Sequence, residues 1–421
     1  MNPIEKTAHF LLSVLITRPA ILVGRLARIL TGRSFSTSAL QEPVDSILIV
    51  LVEHLGDLII ASSFLRDTRT DFPRARITLV VDTRFLSYAK QCPYVDEVLG
   101  FDESGSKFLR ALIGPYRAFT FAMAKLWSRK FDLAIKPFWG IDLRHGTLIG
   151  LYSLARVHLG FSVNCSNSKR IINAGLNGAF SHVLYSDSVI HEGARGADLL
   201  TFLGMPSTPP AGEVWLKESD VSFARQSLPI EDSMLIALGI GASQEKRQWP
   251  IERFGAAAAA LRRKWPEAKF LIVGDSTDAQ LAERLRELLG SALLNFAGKC
   301  SIGQSAALLS RCRLYVGNDS GPMHMAAAMQ VPVVELSCHP QSGPADHASS
   351  PLRYAPLAVP HTILRPIDFE PPCRYACAAK TAHCILAVTV DEVVEAAEKM
   401  LSSVCLQAED AGLSKSRANC L

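Results

Sequence analysis

Two doubly wound α/β domains in tandem are the fold class this sequence predicts, and three observations predict it. Short aliphatic runs alternate with helical segments in two separate series. A proline-rich break at Pro206, Pro209 and Pro210 divides the series. The chain has 421 residues, more than one ordinary core accommodates.

The first series opens at Ile47 to Val52, a continuous β-branched and aliphatic run. A parallel strand buried on both faces reads this way. The loop Glu53-His54-Leu55-Gly56-Asp57 follows, and Leu58 to Thr70 has helical spacing. Phe72-Pro73 ends that helix, and Ile77 to Val81 is a second strand, completing a βαβ unit. A strand over Val95 to Phe101, a helix over Phe108 to Arg129 and a strand over Phe131 to Pro137 continue the alternation.

The second series begins with a strand at Met234 to Leu238. Gly239 to Pro250 forms a small-residue loop before a helix through Arg263. Strands at Phe270 to Gly274, Leu314 to Gly317 and Val331 to Leu336 alternate with helices at Leu281 to Leu289 and Met323 to Met329. Val390 to Leu401 carries an amphipathic stripe of Val390, Val393, Val394, Ala397 and Leu401. The expected division is an N-terminal extension and linker over 1–44, a first domain over 45–205 and a second over 206–390. A C-terminal helix and loose tail fill 391–421.

The N-terminal extension differs in character from the rest. His9 to Leu30 is apolar and punctuated by Arg18, Arg25 and Arg28. A signal peptide places its basic residues first, so this order argues against one. Two readings stand: a basic amphipathic helix on an anionic membrane surface, or a helix packed on the protein. Thr31 to Asp45, rich in Ser and Thr, is expected to be a flexible joint.

Composition excludes several classes. Apolar residues make up 48% and charged residues 20%, so the chain is globular rather than disordered. The formal net charge of +4 is too small over this length to argue for nucleic acid. No charge-free apolar run reaches the about 18 residues of a membrane-crossing helix. The 10 cysteines are scattered, and most read as reduced thiols. Cys373, Cys377 and Cys384 cluster beside His383, which fits either a zinc site or a loop of buried thiols.

Three segments carry chemistry. Gly317-Asn318-Asp319-Ser320-Gly321-Pro322-Met323-His324 is a strand end, a small-residue turn and a helix start. Ser320 or Asp319 is expected to cap the helix, and its free N–H groups and positive dipole end suit a phosphate. Gly239 to Pro250 is the second segment, with Lys246 and Arg247 placed to neutralise phosphate oxygens. Asp57 is the third, a carboxylate at a helix start that can take a proton from a hydroxyl. A helix N-terminus favours the ionised form and weakens that base. Asp275 and Asp278, after the strand ending at Gly274, are candidates for a ribose contact, and Gly274 is a further donor-binding candidate. His191, Glu192, Arg195 and Asp198 share one charged helix and read as a solvated face. No Gly-x-Gly-x-x-Gly, Gly-x-x-x-x-Gly-Lys-Ser or Gly-x-Ser-x-Gly motif occurs at these turns, which weakens the dehydrogenase, NTPase and hydrolase readings.

From about Asp45 to about Leu401 the sequence resembles glycosyltransferase family 9, the ADP-heptose:lipopolysaccharide heptosyltransferases. The resemblance is carried by five features in order. They are His54-Leu55-Gly56-Asp57, Pro93-Tyr94-Val95-Asp96-Glu97-Val98, Gly241-Ala242-Ser243 with Arg247-Gln248-Trp249-Pro250, the turn Gly317 to His324 with Ala326-Ala327-Ala328, and the Cys373, Cys377 and Cys384 tail. It implies a GT-B fold, two Rossmann-like domains facing across a cleft. It implies inverting, metal-independent and cofactor-free transfer from a nucleotide sugar, ADP-heptose, to a lipid-linked glycan acceptor at the inner face of the inner membrane. Asp57 matches the family's proposed catalytic base. Gly241, Ala242, Ser243 and Arg247 match its phosphate loop, with Lys246 beside them. Asp319, Ser320, Gly321, Pro322, Met323 and His324 match its donor-diphosphate turn. The chain departs from the pattern at Glu53-His54, at Ser337-Cys338-His339-Pro340 and in its N-terminal extension. Another GT-B nucleotide-sugar enzyme, an epimerase or hydrolase, and a non-catalytic nucleotide-sugar-binding member are the alternatives.

Overall fold

Two six-stranded sheets, parallel in every pairing, organise the chain. They were traced in a computed structural model that describes residues 13–35, 42–102, 104–228, 234–375 and 377–410. The chain divides into two units, Met1–Pro210 and Ala211–Leu421.

In the first unit the strands are β1 (Ser46–Leu51), β2 (Arg76–Asp82), β3 (Glu97–Phe101), β4 (Leu133–Lys136), β5 (Val157–Phe161) and β6 (His182–Leu184). Their spatial order is β3-β2-β1-β4-β5-β6. β1 is the hub, with Ile47 beside Ile77 of β2 on one side and Leu133 of β4 on the other. That central place explains its unbroken aliphatic run, since helices cover both faces. The expected helix after β1 is two helices, Leu55–Ile60 and Ser62–Asp71. Helices Lys107–Lys125, Gly146–Tyr152 and Glu192–Phe202 complete the layers named here.

The second unit repeats the plan. Its strands are β7 (Leu235–Gly239), β8 (Lys269–Ile272), β9 (Leu293–Asn295), β10 (Leu314–Asn318), β11 (Val333–Leu336) and β12 (His361–Leu364). They lie in the order β12-β11-β10-β7-β8-β9. Counted within its own unit, each sheet has the strand order 3-2-1-4-5-6 of a dinucleotide-binding Rossmann domain. Ligands of such sheets bind outside the carboxyl ends of the strands where the order reverses. Those switch points lie between β1 and β4, and between β7 and β10. Helices Ile251–Lys264, Ser276–Leu289 and Val390–Asp410 pack on the second sheet, with Phe254, Leu261, Leu285, Val393 and Leu401 in the common core.

Arg18–Leu30 is a helix, and it is packed on the first unit. Ala20, Ile21, Gly24, Ala27 and Arg28 are buried. Gly24 allows the contact, since a Cβ there would sit 2.6 Å from Leu151 Cδ2. Arg28 donates to the Leu151 and Ala155 carbonyls at 3.1 and 2.8 Å and covers the Phe35 ring. Residues 36–41 of the expected joint, residues 1–12 and the tail 411–421 lie outside the described residues. The joint's flanks are fastened rather than loose: Arg33 donates to the Trp127 carbonyl at 2.9 Å.

The helix Glu192–Phe202 corrects one expectation. Arg195 is not on a solvated face but is fully buried. It donates to Ser186 Oγ at 2.8 Å and to the Ser188 carbonyl at 2.6 Å, and its guanidinium lies over the Trp139 ring. Those partners replace the water a buried cation would otherwise lose.

Candidate active site

The catalytic candidate sits where the first sheet reverses. β1 ends at Leu51, and Asp57 lies in the first turn of Leu55–Ile60. The His54 backbone N–H donates to Asp57 Oδ2 at 3.0 Å, so the carboxylate closes the helix start. His54 Nδ1 lies 3.6 Å from the same oxygen. On its other side, His54 Nε2 is 3.2 Å from Arg144 Nη2. A guanidinium can only donate, so Nε2 is the acceptor in that contact.

Arg144 continues the chain of contacts to Asp82, the last residue of β2, at 2.9 Å. Burial alone would raise the Asp82 carboxyl, but hydrogen bonds and charge from Arg84 and Arg144 hold it below the ordinary value. Beneath this row, Lys136 at the end of β4 pairs with Glu53. Burial pushes the Glu53 carboxyl up, against the opposing charge of Lys136. Asp142 is buried nearby, and charge from Lys136 and hydrogen bonds from Thr147 outweigh that burial and hold its carboxyl down. Glu53, Asp82, Lys136, Asp142 and Arg144 were not among the sequence candidates. One signal was available: a lysine and an aspartate each end an otherwise apolar strand, where a solvent-free position has no use for charge.

The donor candidates sit at the reversal of the second sheet. Asn318, the last residue of β10, joins its two loops. Its Oδ1 accepts from the Trp249 N–H at 2.9 Å, and its Nδ2 donates to the Ile240 carbonyl at 2.9 Å. β7 and β10 touch closely here. Gly317 pairs with Gly239, and a Cβ on Gly317 would sit 2.5 Å from Gly239 Cα. Tyr315 Oη fills the space over Gly239 and reaches Ser320 Oγ at 3.4 Å.

Arg247 lies between the loops. Its Nη2 donates to Asp319 Oδ2 at 2.5 Å and to the Asp319 carbonyl at 2.8 Å, and its Nη1 to Ser243 Oγ at 3.4 Å. A guanidinium has five N–H donors, so two remain for a ligand oxygen. Burial would lower the Arg247 pKa, but Asp319 more than offsets it. Glu335 of β11 is buried beneath this pair. Desolvation pushes its carboxyl well above the ordinary value, Asp319 adds to the push, and Arg247 opposes it. His324 Nε2 is 4.0 Å from Asp319 Oδ1.

The capping expectation needs correction. Neither Asp319 nor Ser320 caps Gly321–Ala328 with its side chain. The Asp319 carboxylate is taken by Arg247, and the Ser320 hydroxyl faces Tyr315. Pro322 stands in the first turn as expected, and the Met323 N–H bonds back to the Ser320 carbonyl at 3.1 Å. Gly241 and Ala242 belong to the same loop, where Gln248 Nε2 donates to the Ala242 carbonyl at 3.1 Å. Lys246 points elsewhere, donating to the Cys377 carbonyl at 2.7 Å. Asp275 caps the helix Ser276–Leu289 through the Thr277 N–H at 2.7 Å. Its neighbour Asp278 packs against Gly241 and Gly274 instead, and burial together with Asp275 pushes its carboxyl up to about 6.

The family model for glycosyltransferase family 9 (heptosyltransferase) matches residues 190–365. The lipopolysaccharide core heptosyltransferase of Haemophilus influenzae is 22% identical over 318 residues, 75% of this chain and 82% of that protein. The crystal structure of a family 9 glycosyl transferase from Veillonella parvula aligns with a TM-score of 0.67 at 22% identity, covering 85% of this chain and 98% of its own. The ADP-heptose lipopolysaccharide heptosyltransferase II of Escherichia coli aligns at 0.60 and 19% identity, covering 86% and 99%. The shared fold is GT-B, built of two Rossmann-like domains. The chain is a glycosyltransferase, similar to family 9 over residues 190–365 and to a heptosyltransferase over most of its length.

Proposed function

We propose that this enzyme transfers a heptose from ADP-heptose to a lipopolysaccharide-core or related envelope glycan, by inverting displacement without a catalytic metal. One observation carries the reading: Asp57 and the Arg247–Asp319 pair each stand at the switch point of a Rossmann sheet. The second domain takes the donor and the first takes the acceptor. The acceptor oxygen bonds to the sugar's anomeric carbon from the face opposite the diphosphate. The carbon–oxygen bond to phosphate breaks, and ADP leaves with the electron pair. Asp57 takes the acceptor hydroxyl's proton, late in the step because a carboxylate is a weak base toward a hydroxyl. The two remaining Arg247 donors and the N-terminus of Gly321–Ala328 offset the charge that builds on the leaving diphosphate. The His54 backbone N–H orients the Asp57 carboxylate, and Arg144 holds the His54 ring beside it.

The test is transfer from ADP-heptose to a truncated core glycan, with product linkage read by NMR. A product of inverted anomeric configuration is expected. Free heptose or an isomerised nucleotide sugar would instead establish the hydrolase or epimerase alternative. A retained configuration would rule out the displacement.

We further propose that the enzyme works on the anionic cytoplasmic face of the inner membrane. The helix Arg18–Leu30 supports both readings of the extension. Its inner face is packed on the protein, while Leu22, Val23, Leu26, Ile29 and Leu30 are exposed, Leu30 to 86%. Arg18 and Arg25 are exposed along the same helix. Among the described residues no helix is long and apolar enough to cross a membrane. Deleting 1–44 would remove Arg28 from the core, so point substitutions are the better probe. Leu26→Glu with Ile29→Glu should lose binding to phosphatidylglycerol vesicles while the melting temperature stays within about 2 °C. Unchanged vesicle binding would refute the proposal.

A further inference from the structure

Behind the donor loop lies a cluster that the transfer reaction does not use. Residues between β12 and the helix Val390–Asp410 form a long connection, and among its described residues the regular structure is a single turn, Cys384–Ala387. Stretches of this length without helix or strand need something to hold them. Here Cys373, Cys377, His383 and Cys384 converge, and their ligand atoms all lie within 4.8 Å of one another. The three cysteines are buried, packed with Phe369 and Ala379.

The distances are compatible with one shared occupant. His383 Nδ1 lies 3.6 Å from Cys373 Sγ and 3.5 Å from Cys384 Sγ. A tetrahedral ion bound at about 2.3 Å to sulfur and about 2.05 Å to nitrogen requires a sulfur–nitrogen edge of about 3.6 Å. The two sulfur–nitrogen edges agree with that length, and the other ligand atoms lie within 4.8 Å of them. A pair of thiols preparing a disulfide would need neither the third sulfur nor the imidazole. The Ala378 N–H donates to Cys373 Sγ at 3.3 Å, as backbone amides do to metal-bound thiolates. The three residues between Cys373 and Cys377 fit a usual zinc pair, while the adjacent His383-Cys384 does not. Only the folded loop brings the four together.

We propose that Cys373, Cys377, His383 and Cys384 form a closed, structural site for one thiophilic divalent ion, zinc or ferrous iron. Binding replaces three thiol protons, which pass to solvent, and the three thiolates and neutral imidazole complete a four-coordinate shell of net charge −1. The Lys246 ammonium, on the Cys377 carbonyl at 2.7 Å, offsets that charge. The ion also fixes the donor loop. Lys246 precedes Arg247, and the segment after Cys384 receives further bonds from Trp249 Nε1 to the Val388 carbonyl at 2.9 Å and from Arg253 to the Leu386 carbonyl at 2.6 Å. This site is independent of which sugar is transferred.

The full-length protein, purified under reductant, should carry about one equivalent of zinc or iron by elemental analysis, and the element found decides between the two. Reconstitution of the stripped protein with Co²⁺ should give intense tetrahedral visible bands and thiolate charge transfer. Cys384→Ser should lose the ion and raise the donor's KM with a smaller change in kcat, and Cys384→His should retain the ion. If either variant fails to fold, the wild-type cobalt spectrum decides alone. Weak octahedral cobalt bands, a metal-free reduced protein that binds no Co²⁺, or a disulfide within the cluster by mass spectrometry would each overturn the proposal.

Discussion

Replacing Asp57 with alanine is expected to lower kcat by about 10³-fold, within the range a positioned acid–base group supplies. ADP affinity should be nearly unchanged, because the donor loops belong to the other unit. Asp57→Ala also removes the acceptor for the His54 N–H, a loss of about 1 kcal/mol of stability for a helix cap. Asp57→Asn separates the two effects. Its amide oxygen can still accept from His54, so its melting temperature should match the wild type, while its turnover should fall as far as the alanine variant's. Turnover in Asp57→Asn within about tenfold of the wild type would remove Asp57 as the base.

Arg247→Ala is expected to damage both stability and donor binding. Its pairing with Asp319 is largely buried, with the Arg247 and Asp319 side chains exposed to 17% and 11%. Removing one partner of such a pair costs about 3–5 kcal/mol, because the other charge stays buried alone. Glu335 makes the cost worse, since Arg247, with Arg365, is a cation opposing its desolvation and its repulsion from Asp319. Donor affinity should fall with the lost guanidinium donors. The double variant Arg247→Met with Asp319→Leu tells the two losses apart. Replacing a buried pair by apolar groups is often neutral, so its melting temperature should recover. Its ADP affinity, measured by calorimetry, should not. Recovery of both would make Arg247 a structural residue only, and wild-type ADP affinity in Arg247→Ala would lead to the same conclusion.

How far these sites were legible differs residue by residue. Asp57 and the Gly317 to His324 turn follow from local pattern, because each ends an aliphatic run and opens a helix. Asn318 and Glu335 do not, since nothing local distinguishes a polar side chain joining two loops from one facing water. Arg195 shows the same limit: its helix is charged in sequence, yet Ser186, Ser188 and Trp139 enclose the guanidinium. The three-residue strands β6 and β9 also escape detection, being too short to show a period.

The sequence by itself determined the two series of strands and helices, the break between them and the turns able to hold phosphate. These depend on hydrophobic runs and turn residues, which act over a few positions. The tertiary structure decided which charges meet. Arg247 reaches Asp319 across 72 positions, and Lys136 reaches Glu53 across 83. It also brought His383 within 3.6 Å of Cys373 and 3.5 Å of Cys384. Such pairings follow from strand order and from the path of the connections, which place distant strand ends side by side. No local pattern encodes that adjacency.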